Sequence, residues 1–242
     1  MKILITGASS GIGRELAKLY ASRDNELILL ARREERLKEL CLELKDAKST
    51  RIIVADVSEF EDLQEKIKSI GAVDMVILNA GISLGHSLEL TPFKEFKQLY
   101  DVNLLSNHAI LEILLPRFKL QGSGKIVFIS SLASLFSMPS SKAYSSSKRA
   151  LNAYAEGIRH KYEPYGVRVV NILPGFIKSE LTDKNSFHMP FLLSTEDGAK
   201  IIKRAIDKNR KFYPFPKRFY LFILIFRLFP DSLKQKIIRS AL

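Results

Sequence analysis

Short runs of consecutive apolar residues alternate along this chain with longer stretches whose apolar positions recur every three or four residues. The runs Lys2–Thr6, Glu26–Ala31, Arg51–Ala55, Met75–Asn79, Lys125–Ser130 and Arg168–Leu173 are rich in Ile, Val and Leu. Apolar residues on successive positions are the mark of strands buried on both faces. The stretches 12–23, 33–45, 59–69, 92–119 and 144–163 carry the helical period, and the fourth is long enough to need a break. This alternation predicts βαβ crossovers and a doubly wound parallel sheet with helices on both faces. A weaker seventh strand is predicted near Lys211–Pro214. No repeat or Pro/Gly/Ser linker divides the chain, so one α/β domain is expected over 1–216, followed by a separate C-terminal segment, 217–242.

Charge changes the picture only at that end. The net charge is +12, and residues 200–242 supply ten of it, with 12 Lys and Arg against 2 Asp and Glu. The rest of the chain is nearly neutral. A single cysteine, Cys41, excludes a disulfide scaffold and a Cys-rich zinc site, and it fits a reducing compartment. The four histidines (86, 108, 160 and 188) show no paired helical spacing, so no metal site is expected. Ile3-Leu4-Ile5 is too short for a signal-peptide core, and no run reaches the roughly 20 apolar residues of a membrane span. A cytoplasmic protein is expected.

The first strand runs directly into Thr6-Gly7-Ala8-Ser9-Ser10-Gly11-Ile12-Gly13 and then into a helix. Glycines there let the backbone turn tightly and approach a diphosphate, which would sit against the free N–H groups of the helix. The spacing G-x-x-x-G-x-G resembles the signature of the short-chain dehydrogenase/reductase family. Five further matches follow in order. Leu78-Asn79-Ala80-Gly81 is similar to the family's Asn-Asn-Ala-Gly motif, and Asp101-Val102-Asn103-Leu104 to its central-helix Asn motif. Ser131 stands thirteen positions before Tyr144, Tyr144-Ser-Ser-Ser-Lys148 matches Tyr-x-x-x-Lys, and Pro174-Gly175-Phe176-Ile177 matches its nicotinamide loop. The resemblance spans residues 6 to about 182 and implies a Rossmann-like fold and a nicotinamide cofactor.

Reducing a carbonyl by hydride transfer requires a proton source, a donor that polarises the oxygen and a positive charge near the proton source. Tyr144 and Lys148, four apart, share one face of a helix. A free phenol titrates near 10, and a nearby ammonium should lower that value. Ser131, ending the fifth strand, can donate to the substrate oxygen. The resemblance implies these same roles, assigns Lys148 a grip on the nicotinamide ribose, and gives Asn103 a backbone-held water linking Lys148 to solvent.

Cofactor choice is legible after the second strand. Where NAD-binding chains carry an acidic residue, this one reads Ala31-Arg32-Arg33. A guanidinium there can pair with a 2′-phosphate, so NADP(H) is expected over NAD(H), with Arg32 leading and Ser9 and Arg33 assisting. The resemblance places Asp56 on the adenine amino group with Val57 beside it. It adds backbone contacts around Gly7, Ser10, Gly11, Ile12, Gly13, Asn79, Ala80, Gly81, Pro174, Gly175 and Ile177, and a carboxamide contact at Ser179, where the family usually has Thr.

The resemblance implies a substrate lid over 180–195, which here carries Leu181, Phe187, Met189, Phe191, Leu192 and Leu193. With Leu132, Leu135 and Phe136 after Ser131, it points to an apolar ketone, aldehyde or alcohol, although the same residues can instead pack within the protein. The segment 217–242 is too short to span a bilayer but can form a basic amphipathic helix lying on a membrane surface, or bury itself against protein. Nucleic-acid binding is not expected. The resemblance implies a homodimer or homotetramer, with the long helical stretches 92–119 and 144–163 as candidate interfaces. The rival reading is a non-enzymatic NADPH-binding sensor or membrane-linked scaffold on the same fold.

Overall fold

The alternation of apolar runs and amphipathic stretches becomes one parallel sheet in the computed structural model, which describes residues 1–85, 87–183 and 189–240. The strands are β1 (Lys2–Thr6), β2 (Glu26–Ala31), β3 (Ser49–Val54), β4 (Met75–Leu78), β5 (Gly124–Ile129), β6 (Val167–Pro174) and β7 (Phe212–Phe215). Their order is β3-β2-β1-β4-β5-β6-β7, with every neighbouring pair parallel. The weaker seventh strand therefore forms, one residue later than predicted.

Successive apolar residues feed two cores because side chains alternate across a strand. Leu4, Ile28, Val76 and Phe128 face one layer, made by α3 (Phe60–Lys68), α5 (Ser106–Gln121) and α6 (Lys142–Tyr162). Ile3, Ile5, Leu29 and Ile77 face the other, made by α1 (Gly11–Tyr20), α2 (Glu34–Glu43) and α7 (Thr195–Asp207). Leu4 and Ile28 are essentially inaccessible, so an alanine at either would cost about 2 to 5 kcal/mol.

Two helical features depart from expectation. The break in 92–119 is a π-helical turn, Asp101–Leu105, between α4 (Phe93–Tyr100) and α5, so the helical path continues through it. α7 has no counterpart among the predicted helices. It starts at Ser194, whose hydroxyl accepts from the Asp197 N–H at 3.0 Å, and it buries Ala199, Ile202, Ala205 and Ile206.

The C-terminal segment forms two helices, α8 (Lys217–Arg227) and α9 (Asp231–Ser240). α8 buries Ile223 and Phe226; Ile223 joins a satellite cluster with Leu132 and Leu173. Its opposite face leaves Leu221 and Ile225 exposed, and Leu228 just beyond continues the stripe that a 3.6-residue repeat produces. Among the described residues, no helix is long and apolar enough to cross a membrane.

Candidate active site

The carboxyl ends of β1 and β4 are adjacent in the sheet, while the chain leaves them toward opposite edges, and a crevice opens between the two departures. Thr6 ties its walls together. Its buried hydroxyl accepts from the N–H groups of Asn79 and Ala80, both at 3.0 Å. Asn79 Nδ2 in turn donates to the carbonyls of Thr6 and Gly7 at 3.0 and 3.3 Å. The loop leaves no space for side chains at two of its glycines. Gly7 has φ +66°, and a Cβ there would stand 2.9 Å from Asn79 Nδ2; at Gly13 a Cβ would run into the Gly7 carbonyl. Ser10 precedes α1 without capping it through its side chain, and Gly11 and Ile12 of the first turn line the crevice, so their N–H groups have no side-chain cap from Ser10. A backbone cradle of this kind fits a diphosphate.

The crevice is a cleft of about 380 Å³. Gly7, Ser9, Ser10, Gly11 and Ile12 line one side; Asn79, Ala80 and Gly81 line the bottom; Pro174, Gly175, Ile177 and Ser179 close the other side. Arg32, Arg33, Asp56 and Val57 form one end, and Ser131, Tyr144 and Lys148 the other. Gly13 and Asn103 are the two predicted residues outside the lining. Gly13 supports the loop from behind. Asn103, inaccessible in the π-helical turn, uses its side chain to accept from the Ile82 N–H (2.9 Å) and to donate to the Ile82 carbonyl and Ser147 Oγ (both 3.1 Å). Its own carbonyl accepts from Asn107 Nδ2 at 2.9 Å.

At the reacting end, burial governs. Lys148 is 4% exposed, donates to the Ile129 carbonyl at 2.9 Å, and is pushed down to about 8 by desolvation. Its ammonium lies 5.9 Å from the Tyr144 ring centroid. Burial also raises Tyr144, and only the hydrogen bond with Ser131 counters that. The direction is therefore opposite to the lowering expected from the ammonium, and burial of the phenol is its cause.

At the other end, ion pairs govern. Arg32 is exposed and donates to Asp56 at 3.1 Å. Burial would raise the Asp56 carboxyl, yet the Ser58 N–H and hydroxyl, with Arg32, hold it below its usual range. Arg33 Nε and Nη2 donate to Ser9 Oγ at 3.3 and 3.2 Å, and Nη2 also to Ser10 Oγ at 2.6 Å.

A model of the family described as short chain dehydrogenase matches residues 1–189. The chain belongs to the short-chain dehydrogenase/reductase family. An uncharacterized oxidoreductase of Myxococcus xanthus is 34% identical over 218 residues, 88% of this chain and 86% of that protein. Two solved structures share the fold at 98% of this chain. A short-chain dehydrogenase from Sphingobium yanoikuyae in complex with NADPH has TM-score 0.82 and 22% identity over 95% of its chain. The bulky-bulky ketone specific alcohol dehydrogenase of Comamonas testosteroni has TM-score 0.81 and 21% identity over 93% of its chain. In this member of the family Ser131, Tyr144 and Lys148 line one cleft.

Three residues of this short-chain dehydrogenase/reductase are silent in the sequence pattern. Glu180 reaches across the cleft mouth to Arg33 and Arg36. Thr182 accepts from the Ser179 N–H at 2.8 Å and donates to the Ile177 carbonyl at 3.0 Å, fixing the turn after the Pro-Gly loop. Ser147 joins the Tyr144 helix to Asn103. On the substrate side, the packing alternative holds for three residues. Leu132 is buried in the α8 cluster, with Leu135 and Phe136 packed on it, so these three serve internal packing. Of the expected lid, Leu181 lines the cleft, Phe191 and Leu192 are exposed, and Leu193 packs on the core. Phe187 and His188 lie outside the described residues.

Proposed function

We propose that this oxidoreductase uses NADP(H) to interconvert an apolar ketone or aldehyde with its alcohol. The observation that carries the reading is the division of one cleft between arginines at one end and a Tyr144–Ser131 pair beside the buried Lys148 at the other. The backbone cradle of residues 7–13 would hold the diphosphate, Arg32 with Ser9 and Arg33 the 2′-phosphate, and Asp56 and Val57 the adenine end. The nicotinamide, when bound, supplies the hydride. Tyr144 donates its proton to the carbonyl oxygen as reduction proceeds, and Ser131 donates a hydrogen bond to that oxygen. Lys148 adds positive charge beside the phenol and a donor for the ribose. Asn103 is a positioning residue: its bonds to Ile82 and Ser147 hold the cleft floor to the Tyr144 helix.

An intact proton-transfer set has no use in a sensor or scaffold, which disfavours the non-enzymatic reading. The test is NADPH oxidation with a panel of aromatic and long-chain ketones and aldehydes. Turnover at least tenfold more efficient with NADPH than with NADH is expected; no oxidation by any carbonyl compound would return the chain to the sensor reading.

The outward stripe of α8 and the basic residues Lys217, Arg218 and Arg227 around it support peripheral contact with an anionic membrane. Ile225→Glu should then abolish sedimentation with vesicles containing phosphatidylglycerol. Undiminished sedimentation would exclude α8 as the contact.

A further inference from the structure

The anion-binding end of the cleft already holds an anion of the protein's own. Glu180 follows Ser179 directly, at the point where the Pro-Gly loop gives way to the segment expected as a lid. Its carboxylate accepts from Arg33 Nη1 at 2.8 and 3.1 Å and pairs also with Arg36. The Arg33 contacts span 147 residues of sequence and join two segments that both line the cleft. Arg33 is fully committed by them. Nε and Nη2 serve Ser9 and Ser10, and Nη1 serves Glu180, so every guanidinium nitrogen has an acceptor. Arg32, by contrast, has one described partner, Asp56.

The same segment lies close over the glycine loop. A Cβ built at Gly11 would meet the Ser179 Cβ at 3.5 Å, an ordinary packing distance, so the chain at 179–180 rests on the loop that would cradle a diphosphate. A carboxylate at that place has an electrostatic consequence. It occupies the donors of Arg33 that a 2′-phosphate would use, and it repels a phosphate arriving at that guanidinium. Arg36 and Arg33 hold the Glu180 carboxyl below its usual range, so the negative charge is present throughout the neutral range.

We propose that Glu180 is a specificity-determining residue, an internal counter-anion that competes with the cofactor's 2′-phosphate for Arg33 and must leave when that phosphate binds. The inference rests on the assignment of this end of the cleft to the 2′-phosphate. It makes NADPH affinity a difference between two anions seeking the same guanidinium. It also couples the nucleotide to the substrate side, because the released carboxylate belongs to the first residue of the segment that follows the Pro-Gly loop. NADH, lacking that phosphate, leaves the Glu180–Arg33 pair in place.

The experiment compares wild type with Glu180→Gln, a change of charge at nearly constant shape. Dissociation constants for NADPH and NADH are measured by titration calorimetry at low salt, without any substrate, and a melting curve of each free protein checks that both are folded. Glu180 and its partners are about half exposed, so replacement should leave the melting temperature nearly unchanged. The Glu180→Gln protein should bind NADPH at least threefold more tightly than wild type while NADH affinity changes less than twofold, and 2′,5′-ADP should follow NADPH. Equal weakening of both dinucleotides would show that Glu180 clamps the bound cofactor, and an unchanged ratio would show that it is a surface ion pair without influence on selectivity; either overturns the proposal. A wild type that does not prefer NADPH to NADH, or binds neither, would instead overturn the reading of the cleft on which the proposal stands.

Discussion

The two ends of the cleft are built from opposite electrostatics. At this end Lys148 is buried and Tyr144 partly so, with no described carboxylate partner, and desolvation is the largest influence on both groups. Around Arg32, Arg33 and Arg36 the guanidinium groups are exposed, and Asp56 and Glu180 offset two of their three charges. The first arrangement suits chemistry, because a phenol kept protonated beside a cation can give its proton to a developing oxyanion. The second suits recognition, because exposed guanidinium groups can exchange one anion for another at small cost. Substitutions should therefore act strongly and without much salt dependence at the buried end, and modestly and salt-dependently at the exposed one.

The largest expected effect is Tyr144→Phe. Loss of the acid should lower turnover by about 10²- to 10⁴-fold while the dissociation constant for NADPH stays within twofold. A variant keeping a tenth of wild-type turnover would remove Tyr144 from the proton-donor role and erase the contrast.

Lys148 gives the next largest effect, with a sign that identifies burial as its cause. Its pKa is near 8 in the folded chain against 10.5 unfolded, so between those values the unfolded state binds more protons and stability rises with pH. Below about 8 the full cost of burying the ammonium is borne, about 3 kcal/mol by the linkage relation. Lys148→Met removes that cost but orphans the Ile129 carbonyl, leaving a net gain of about 1 to 2 kcal/mol at pH 7. Denaturant melts across pH 7 to 10.5 should show the gain shrinking as pH rises. A Met variant destabilised at pH 7 would mean that the lysine is stabilised by a charge the geometry does not contain.

Much of this contrast is legible in the unfolded chain. The buried end is written in local spacing: Tyr144 and Lys148 share a helix face, and Ser131 ends an apolar run that reads as an interior strand. The two-faced burial of β1, β2 and β4 follows from Ile, Leu and Val on consecutive positions. Less legible is anything made by distant residues. Glu180 lies among polar lid residues and shows its meaning only where the fold brings it to Arg33. Asn103 reads as a motif residue, but its bonds to Ile82 and Ser147 depend on a π-helical turn that the helical period cannot announce. α7 is hidden because Gly198 and a run of charges interrupt an otherwise regular pattern; Gly198 is there because Ile177 packs so closely that a Cβ would stand 2.6 Å from it. Leu132, Leu135 and Phe136 mislead for a similar reason: apolar residues after Ser131 can face a substrate or a helix, and α8 decides for the helix.

The smallest expected effect tests the exposed end. Arg32→Ala should weaken NADPH binding about tenfold at low salt, with NADH changed less than twofold. At high ionic strength the difference should narrow, because screening shortens the reach of an exposed charge. Equal losses for both cofactors would mean that Arg32 meets the adenine or diphosphate and would dissolve the division between the two ends.

A crystal structure of the chain with NADPH bound tests that division most directly. The account predicts the 2′-phosphate within hydrogen-bond distance of Arg32, the diphosphate on the loop of residues 7–13, and the nicotinamide beside Tyr144 and Lys148. A dinucleotide lying the other way, or one whose nicotinamide is kept from Tyr144, would contradict it.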